Sequence, residues 1–175
     1  MPVLGTHAPD FALPEPGTDR EWRLADFGAE ALVVVFTCNH CPYAQAVEER
    51  VIALARDFAG RADFVAISAN DASGFPDDAP EKMAQRAREK EYPFPYLYDE
   101  SQATARAYGA ACTPDFFLYG PERQLVYRGR LDDNWQEPEK VQRQELRAAI
   151  EALRAGEPVV KPQLPALGCN IKWRA

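Results

Sequence analysis

The stretch Ala31-Leu32-Val33-Val34-Val35-Phe36-Thr37-Cys38-Asn39-His40-Cys41-Pro42 decides how the rest of the chain is read. Its first six residues form an unbroken, largely β-branched apolar run, the pattern of a central strand covered on both faces. Two cysteines separated by two residues follow at once, and then a proline. Beyond Pro42 the apolar spacing changes to Ala44, Val47, Val51, Leu54, Ala55 and Phe58, a helical stripe that stops near Gly60. Pro42 suits a first helical turn, where its missing N–H would have no partner in any case. A pair of thiols therefore falls at a strand-to-helix junction.

That position has chemical consequences. Unpaired backbone N–H groups and the helix dipole favour an anion there, and a thiolate is the nucleophile of sulfur chemistry. His40, inside the motif, offers a cation or a hydrogen bond to such a thiolate. The spacing alone leaves a zinc half-site and an inert buried pair open as well. Zinc needs further ligands, and beyond the pair the chain has only Cys112, Cys169, His7 and His40, with no second C-x-x-C. Position favours redox chemistry.

Working outward, residues 9–13 and 21–24 alternate apolar and polar around Pro14, Pro16 and Gly17 and read as a hairpin. Ala62-Asp63-Phe64-Val65-Ala66-Ile67-Ser68 is a second buried strand, so strand, helix and strand make a βαβ unit with parallel pairing. Residues 70–78 read as a polar loop and 80–91 as a charged helix with a thin apolar side. Phe94-Pro95-Tyr96-Leu97-Tyr98 reads as an edge strand. Ser101 is expected to cap a short helix ending at Tyr108. Residues 115–119 and 125–128 flank a Gly-Pro turn as an antiparallel hairpin. Pro138 is expected to open the last helix, which stops at Gly156. A Pro-rich tail closes the chain, and Leu164, Leu167, Ile171 and Trp173 give it apolar surface to bury.

With 175 residues, 46% hydrophobic and 27% charged, the chain has the profile of one globular domain. A net charge of −7 and a pI near 4.9 argue against nucleic acid or an anionic membrane as partner. The first residues lack a secretory pattern and no run is long enough to span a bilayer, so the expected location is cytoplasmic. Structural disulfides are rare there, which again points the cysteines to catalysis or metal.

Thr37-Cys38-Asn39-His40-Cys41-Pro42-Tyr43, Cys112-Thr113-Pro114-Asp115-Phe116-Phe117-Leu118 and the ending Gly168-Cys169-Asn170-Ile171-Lys172-Trp173 resemble the thioredoxin superfamily. The opening Ala8-Pro9-Asp10-Phe11-Ala12-Leu13 and the helix at 80–91 are similar to its peroxiredoxin-like and TlpA-like branch, related to AhpC/TSA. The resemblance implies an α/β thioredoxin fold: a central mixed sheet flanked by helices, with an N-terminal hairpin (1–28), an inserted helix–strand segment and a tail (157–175) packed on a single domain (1–175). It implies a thiol–disulfide oxidoreductase in which Cys38 attacks and Cys41 resolves, with His40 as in oxidising members. Pro114 is implied to be cis and to lie against the disulfide, and Thr113 to pair its backbone with an extended substrate strand. Asn39, Thr113 and Asp115 are the expected substrate contacts, and Asn70 and Asp71 candidates for the groove. Expected partners are protein or small-molecule disulfides and thiols and an electron donor. No cofactor is expected beyond the Cys38–Cys41 disulfide, and no metal.

The departures from the pattern are informative. Thioredoxin keeps a buried carboxylate six residues before its first cysteine, where this chain has Leu32, so Asp115 becomes the candidate for proton handling. Cys41 matches the peroxidatic cysteine of peroxiredoxins. Cys38 replaces the threonine that chemistry needs, however, and no arginine occurs between 112 and 118. Peroxidase activity is the alternative reading, and zinc or copper binding a lesser one. Of the two motif thiols, Cys38 is expected to be the more exposed and more acidic. Cys112 and Cys169 are candidate accessory thiols, pairing with each other or relaying oxidation away from the pair.

Overall fold

The protein is described by a computed structural model covering residues 1–159 and 161–175; Val160, within the tail, lies outside the described residues. Strands β1 (Ala12–Pro14) and β2 (Glu21–Arg23) pair antiparallel as the N-terminal hairpin. The central sheet takes β3 (Ala31–Phe36), β4 (Ala62–Ser68), β5 (Tyr96–Tyr98), β7 (Asp115–Tyr119) and β8 (Leu125–Gly129), in the order β5-β4-β3-β7-β8. Helix α1 (Pro42–Asp57) joins β3 to β4, which pair in parallel from Ala31↔Ala62 to Phe36↔Ile67. Antiparallel β7 lies on the other side of β3, so the sheet is mixed. Helices α2 (Pro80–Glu89), α3 (Ala103–Tyr108) and α4 (Glu145–Ala155) complete the layers. A separate two-stranded ribbon joins β6 (Cys112–Thr113) to β9 (Cys169–Asn170).

Every residue of β3 is buried, and its alternation explains why. Ala31, Val33 and Val35 pack with Val47, Val51 and Leu54 of α1 and with Leu146 and Ile150 of α4. Leu32, Val34 and Phe36 point the other way, against Phe11, Leu13, Phe27 and Tyr108. Both faces are thus covered, as the continuous apolar run requires. Glu48 of α1 pairs with Arg86 of α2 through two hydrogen bonds of 2.6 and 2.9 Å, fixing these helices to each other.

The boundaries of three helices differ from the sequence reading, and β5 starts at Tyr96 instead of Phe94. Pro138 opens only a short 3-10 turn (Pro138–Lys140), and α4 begins at Glu145. Asp133 is the cause: its carboxylate accepts from the N–H of Gln142 and its N–H donates to the carbonyl of Arg143, drawing this stretch out of helix. Helix α2 ends at Glu89 because Glu91 takes a left-handed φ of 52°. Gln102, also left-handed, precedes α3, and Ser101 Oγ accepts from the N–H of Ala103 at 3.2 Å.

The tail lies back on the domain, but not through the apolar residues expected to hold it. Of Leu164, Leu167, Ile171 and Trp173 only Ile171 is buried. Polar contacts do most of the anchoring. Lys172 N–H donates to Asn70 Oδ1 at 2.9 Å, and Lys172 O accepts from the N–H of Asp71 at 2.9 Å and from Gln102 Nε2 at 3.0 Å. Arg174 N–H reaches Gln102 Oε1 at 3.0 Å, and the Arg106 guanidinium sits 4.2 Å over the Trp173 ring. Among the described residues no helix is long and apolar enough to cross a membrane.

Candidate active site

The thiol pair sits where β3 ends. Thr37 N–H still bonds Ile67 O at 2.9 Å, after which the chain leaves the sheet and α1 starts at Pro42 with Cys41 as its N-cap. Three residues, Cys38, Asn39 and His40, bridge the gap, and a single carboxylate holds the last two. Asp78 Oδ1 accepts the N–H groups of Asn39 at 2.8 Å and His40 at 3.2 Å. Asp78 Oδ2 accepts from Asn70 Nδ2 at 3.0 Å and bonds His40 Nδ1. The Asp78 side chain is fully buried, and the His40 ring is stacked on Phe75 with centroids 5.2 Å apart. Sequence reasoning placed Asp78 in a solvated loop and missed it.

Asn39 belongs to the same scaffold. Its Nδ2 donates to Asp77 O at 2.9 Å, its Oδ1 accepts from Tyr96 Oη at 2.9 Å, and its carbonyl accepts from Gln45 Nε2 at 2.7 Å. With its polar groups so engaged and its side chain buried, the expected substrate contact by Asn39 does not fit. Asn70 is equally occupied, bonding Asp78 on one side and the tail on the other. It ties the site to the tail instead of lining a groove.

The Thr113–Pro114 peptide is cis, and the loop that carries it lies against both thiols. Cys38 Sγ is 3.5 Å from Thr113 Oγ1, and the Cys41 thiol faces Thr113 O at 3.2 Å. The backbone of Thr113, expected to be open to a substrate strand, is already paired. Strand β9 runs antiparallel to β6 with Cys112↔Asn170 and Thr113↔Cys169. Gly168 makes the approach possible: a Cβ there would lie 2.1 Å from Thr113 O. The strand addition foreseen for a substrate is made by this chain's own tail.

This ladder brings Cys169 against the cluster of Cys38, Cys41 and Ala44. Cys41 meets both Cys38 and Cys169. Cys41 is fully buried, Cys38 is 4% exposed, and Cys169 is partly open. Cys112 is one step out of register with Cys169, so the two side chains leave opposite faces of the ribbon. The Cys112 thiol instead points toward the carbonyls of Pro114 and Ala166, each 3.8 Å away.

The electrostatics separate the four thiols. Cys41 is held well below the ordinary thiol range because the Cys38 thiol donates to it, with Cys169 and the backbone N–H of Ala44 adding to that against the effect of burial. Cys38 is pushed far up, first because it donates to Cys41, then by burial and the Asp78 charge. The expectation that Cys38 is the more acidic thiol is therefore reversed: donation from Cys38 to Cys41 comes first, and burial and the Asp78 charge add to the rise at Cys38. Burial pushes Cys112 up to about 12, with the Asp115 charge contributing. Asp115 is itself pushed up to about 6 by burial, and its Oδ2 accepts from Ala111 N–H at 3.0 Å. Asp115 thus serves the Cys112 loop, and the carboxylate beside the pair is Asp78.

Cys38, His40 and Asp78 offer a sulfur, a nitrogen and an oxygen within 4.8 Å of one another. That is three of the donors a zinc-type ion takes, though His40 and Asp78 spend theirs on each other. The set was invisible in sequence, because Asp78 is thirty-eight positions from His40.

Sheet order, cis-proline loop and junction thiols together define a thioredoxin-fold protein of the peroxiredoxin-like and TlpA-like kind. The AhpC/TSA family profile matches residues 4–128, and the chain belongs to that family. It is similar along its whole length to a hypothetical protein from Sinorhizobium meliloti 1021, at 44% identity and a TM-score of 0.93, covering 100% of this chain and 97% of that one. An uncharacterized conserved protein from Geobacillus kaustophilus is likewise 44% identical, with a TM-score of 0.94 over 99% of this chain and 94% of that one. At 16% identity, the thioredoxin domain of a thiol-disulfide oxidoreductase from Bacteroides vulgatus shares the fold, with a TM-score of 0.62 over 73% and 89% of the two chains. No curated protein matches the sequence.

Proposed function

We propose that the protein is a thiol–disulfide oxidoreductase that cycles Cys38 and Cys41 between dithiol and disulfide. The observation that carries this reading is the placement of Cys38 and Cys41 in one buried cluster at the start of α1, both against the cis Thr113–Pro114 loop. Such a pair holds one proton between two sulfurs, which is the state that precedes ring closure to a disulfide. When Cys41 has been joined to a substrate sulfur, Cys38 attacks Cys41, closes the Cys38–Cys41 bond and releases the substrate as a thiol. Two electrons pass from the pair to the substrate disulfide. His40 and Asp78, within 4.8 Å of Cys38, take up its proton during closure. Protein or small-molecule disulfides of the cytosol are the substrates, and a cellular dithiol restores the pair.

A second reading, peroxide reduction, is favoured by one observation: the acidic thiol is Cys41, at the position of the peroxidatic cysteine. The test runs both activities on one preparation, reduction of insulin disulfides against consumption of hydrogen peroxide. The account expects insulin reduction that is lost in both Cys38→Ser and Cys41→Ser. Cys38→Ser, whose hydroxyl still donates to Cys41, keeps a thiolate absorbance at neutral pH that Cys41→Ser lacks. Rapid peroxide turnover that survives Cys38→Ser, without insulin reduction, would replace the first reading by the second.

A further inference from the structure

The tail strand is the part of the site that a two-cysteine cycle leaves unused. It is not a loose cover. The Thr113↔Cys169 pairing, the close approach of Gly168 and the bonds of Lys172 to Asn70, Asp71 and Gln102 hold it down at both ends of Cys169. A substrate strand would have to strip all of these to reach Thr113. Cys41 has no exposed surface and Cys38 almost none, whereas Cys169 touches the pair on one side and solvent on the other.

We propose that Cys169 is a third redox thiol, the one that meets external disulfides and passes their oxidation to the buried pair through a transient Cys41–Cys169 bond. This rests on the oxidoreductase reading of Cys38 and Cys41. In the first step the Cys169 thiolate attacks an external disulfide R–S–S–R′, forming Cys169–S–R and releasing R′–S⁻, which takes the proton Cys169 gave up. The Cys41 thiolate then attacks the Cys169 sulfur, forming Cys41–Cys169 and releasing R–S⁻. Finally Cys38 gives its proton to His40 and Asp78 and attacks Cys41, forming Cys38–Cys41 and returning Cys169 as a thiolate that takes up a proton in turn. One disulfide has become two thiols, and the pair has lost two electrons.

Cys41 is central and is the thiolate of the three, so it can bond to either neighbour. Burial, and its own donation to Cys41, push Cys169 up to about 11, while the Lys172 ammonium works the other way. Cys169 is therefore mostly protonated: its first attack runs through a small thiolate fraction favoured by Lys172, and it is reclaimed as a thiol at the end of the cycle. Cys112 has no part in the relay, because the ribbon turns it away from Cys169.

The experiment uses the full chain, glutathione disulfide as oxidant, and mass mapping of the products. In Cys38→Ser the account expects an intramolecular Cys41–Cys169 disulfide, with no glutathione retained. In otherwise wild-type protein, Cys169→Ser should slow oxidation of the pair by glutathione disulfide at least tenfold, and Cys112→Ser should leave it within twofold. The main-chain pairing of β9 does not depend on the thiol, so Cys169→Ser should melt at the wild-type temperature. A Cys38→Ser protein that ends as a stable Cys41–glutathione adduct with Cys169 free to alkylate overturns the proposal. So does a Cys169→Ser protein that oxidises at the wild-type rate or faster. Either result, with Cys38–Cys41 still forming in the wild type, leaves the oxidoreductase reading intact. Absence of any Cys38–Cys41 disulfide would remove both.

Discussion

On one side of Cys38 and Cys41 a single buried carboxylate, Asp78, collects bonds from two backbone N–H groups and two side chains. On the other side a two-residue main-chain ladder lays Cys169 against Cys41. Side-chain chemistry builds the first wall and backbone geometry the second. Asn70 joins them, donating to Asp78 and accepting from Lys172. Their failure should differ accordingly. Loss of the carboxylate leaves several buried donors without partners, whereas disturbance of the ladder moves one strand.

Asp78→Ala should give the largest effect. Leaving buried donors unsatisfied costs roughly 1–3 kcal/mol each and is not additive, so a loss of about 3–5 kcal/mol is expected in urea unfolding. Disulfide reduction should fall with it, since the Cys38–His40 bridge loses its anchor. A variant with unchanged stability would mean the two walls are not built differently.

Gly168→Ala probes the ladder. The new Cβ would meet Thr113 O at 2.1 Å and cannot be relieved by a side-chain rotation, so the backbone must shift. The expected cost is about 3 kcal/mol. Limited proteolysis should cut the tail of this variant sooner than that of the wild type, while the rest of the domain stays intact. Equal cutting rates would show that the tail is held by the Lys172 contacts alone.

Asp115 sharpens the contrast with Asp78, because it is a buried carboxylate on the other loop whose burial dominates. Its folded value, about 6, lies above its ordinary value of 3.8. A raised value means that its contribution to stability is complete below about pH 4 and is lost as pH rises through about 6. Asp115→Asn removes that dependence. The stability of the variant relative to the wild type should therefore improve by on the order of 2 kcal/mol between about pH 4 and pH 7.5. A difference that stays flat with pH would contradict the assigned burial effect.

Much of the framework was legible in the chain. The continuous apolar run at 31–36, the helical stripe after Pro42 and the buried strand at 62–68 each satisfy one local rule, and the sheet follows from them. Cys38, Cys41, Thr113 and Pro114 were legible as a constellation through the resemblance. Asp78 was not, because a loop aspartate after Phe75-Pro76 looks like any solvated turn, and its partners come from distant positions. The acidity order of the pair also escaped. It depends on which thiol donates to the other, and at Cys38 on burial and the Asp78 charge, none of which can be read from the four-residue motif. Strand β9 consists of two residues, too few for a periodic signal, and its pairing with β6 is set by a long-range fit around Gly168. Helix α4 was started too early because Asp133 captures the backbone at Gln142 and Arg143, a contact that no local propensity encodes.

Redox titration of the wild-type protein in glutathione buffers, quenched with an alkylating reagent and read by mass, tests whether Cys38 and Cys41 cycle between dithiol and disulfide. The account predicts one two-electron transition, with peptide mapping assigning the disulfide to Cys38 and Cys41 and leaving Cys112 reduced throughout. Persistence of both motif thiols in the most oxidising buffer, or their conversion only to glutathione adducts, would contradict it.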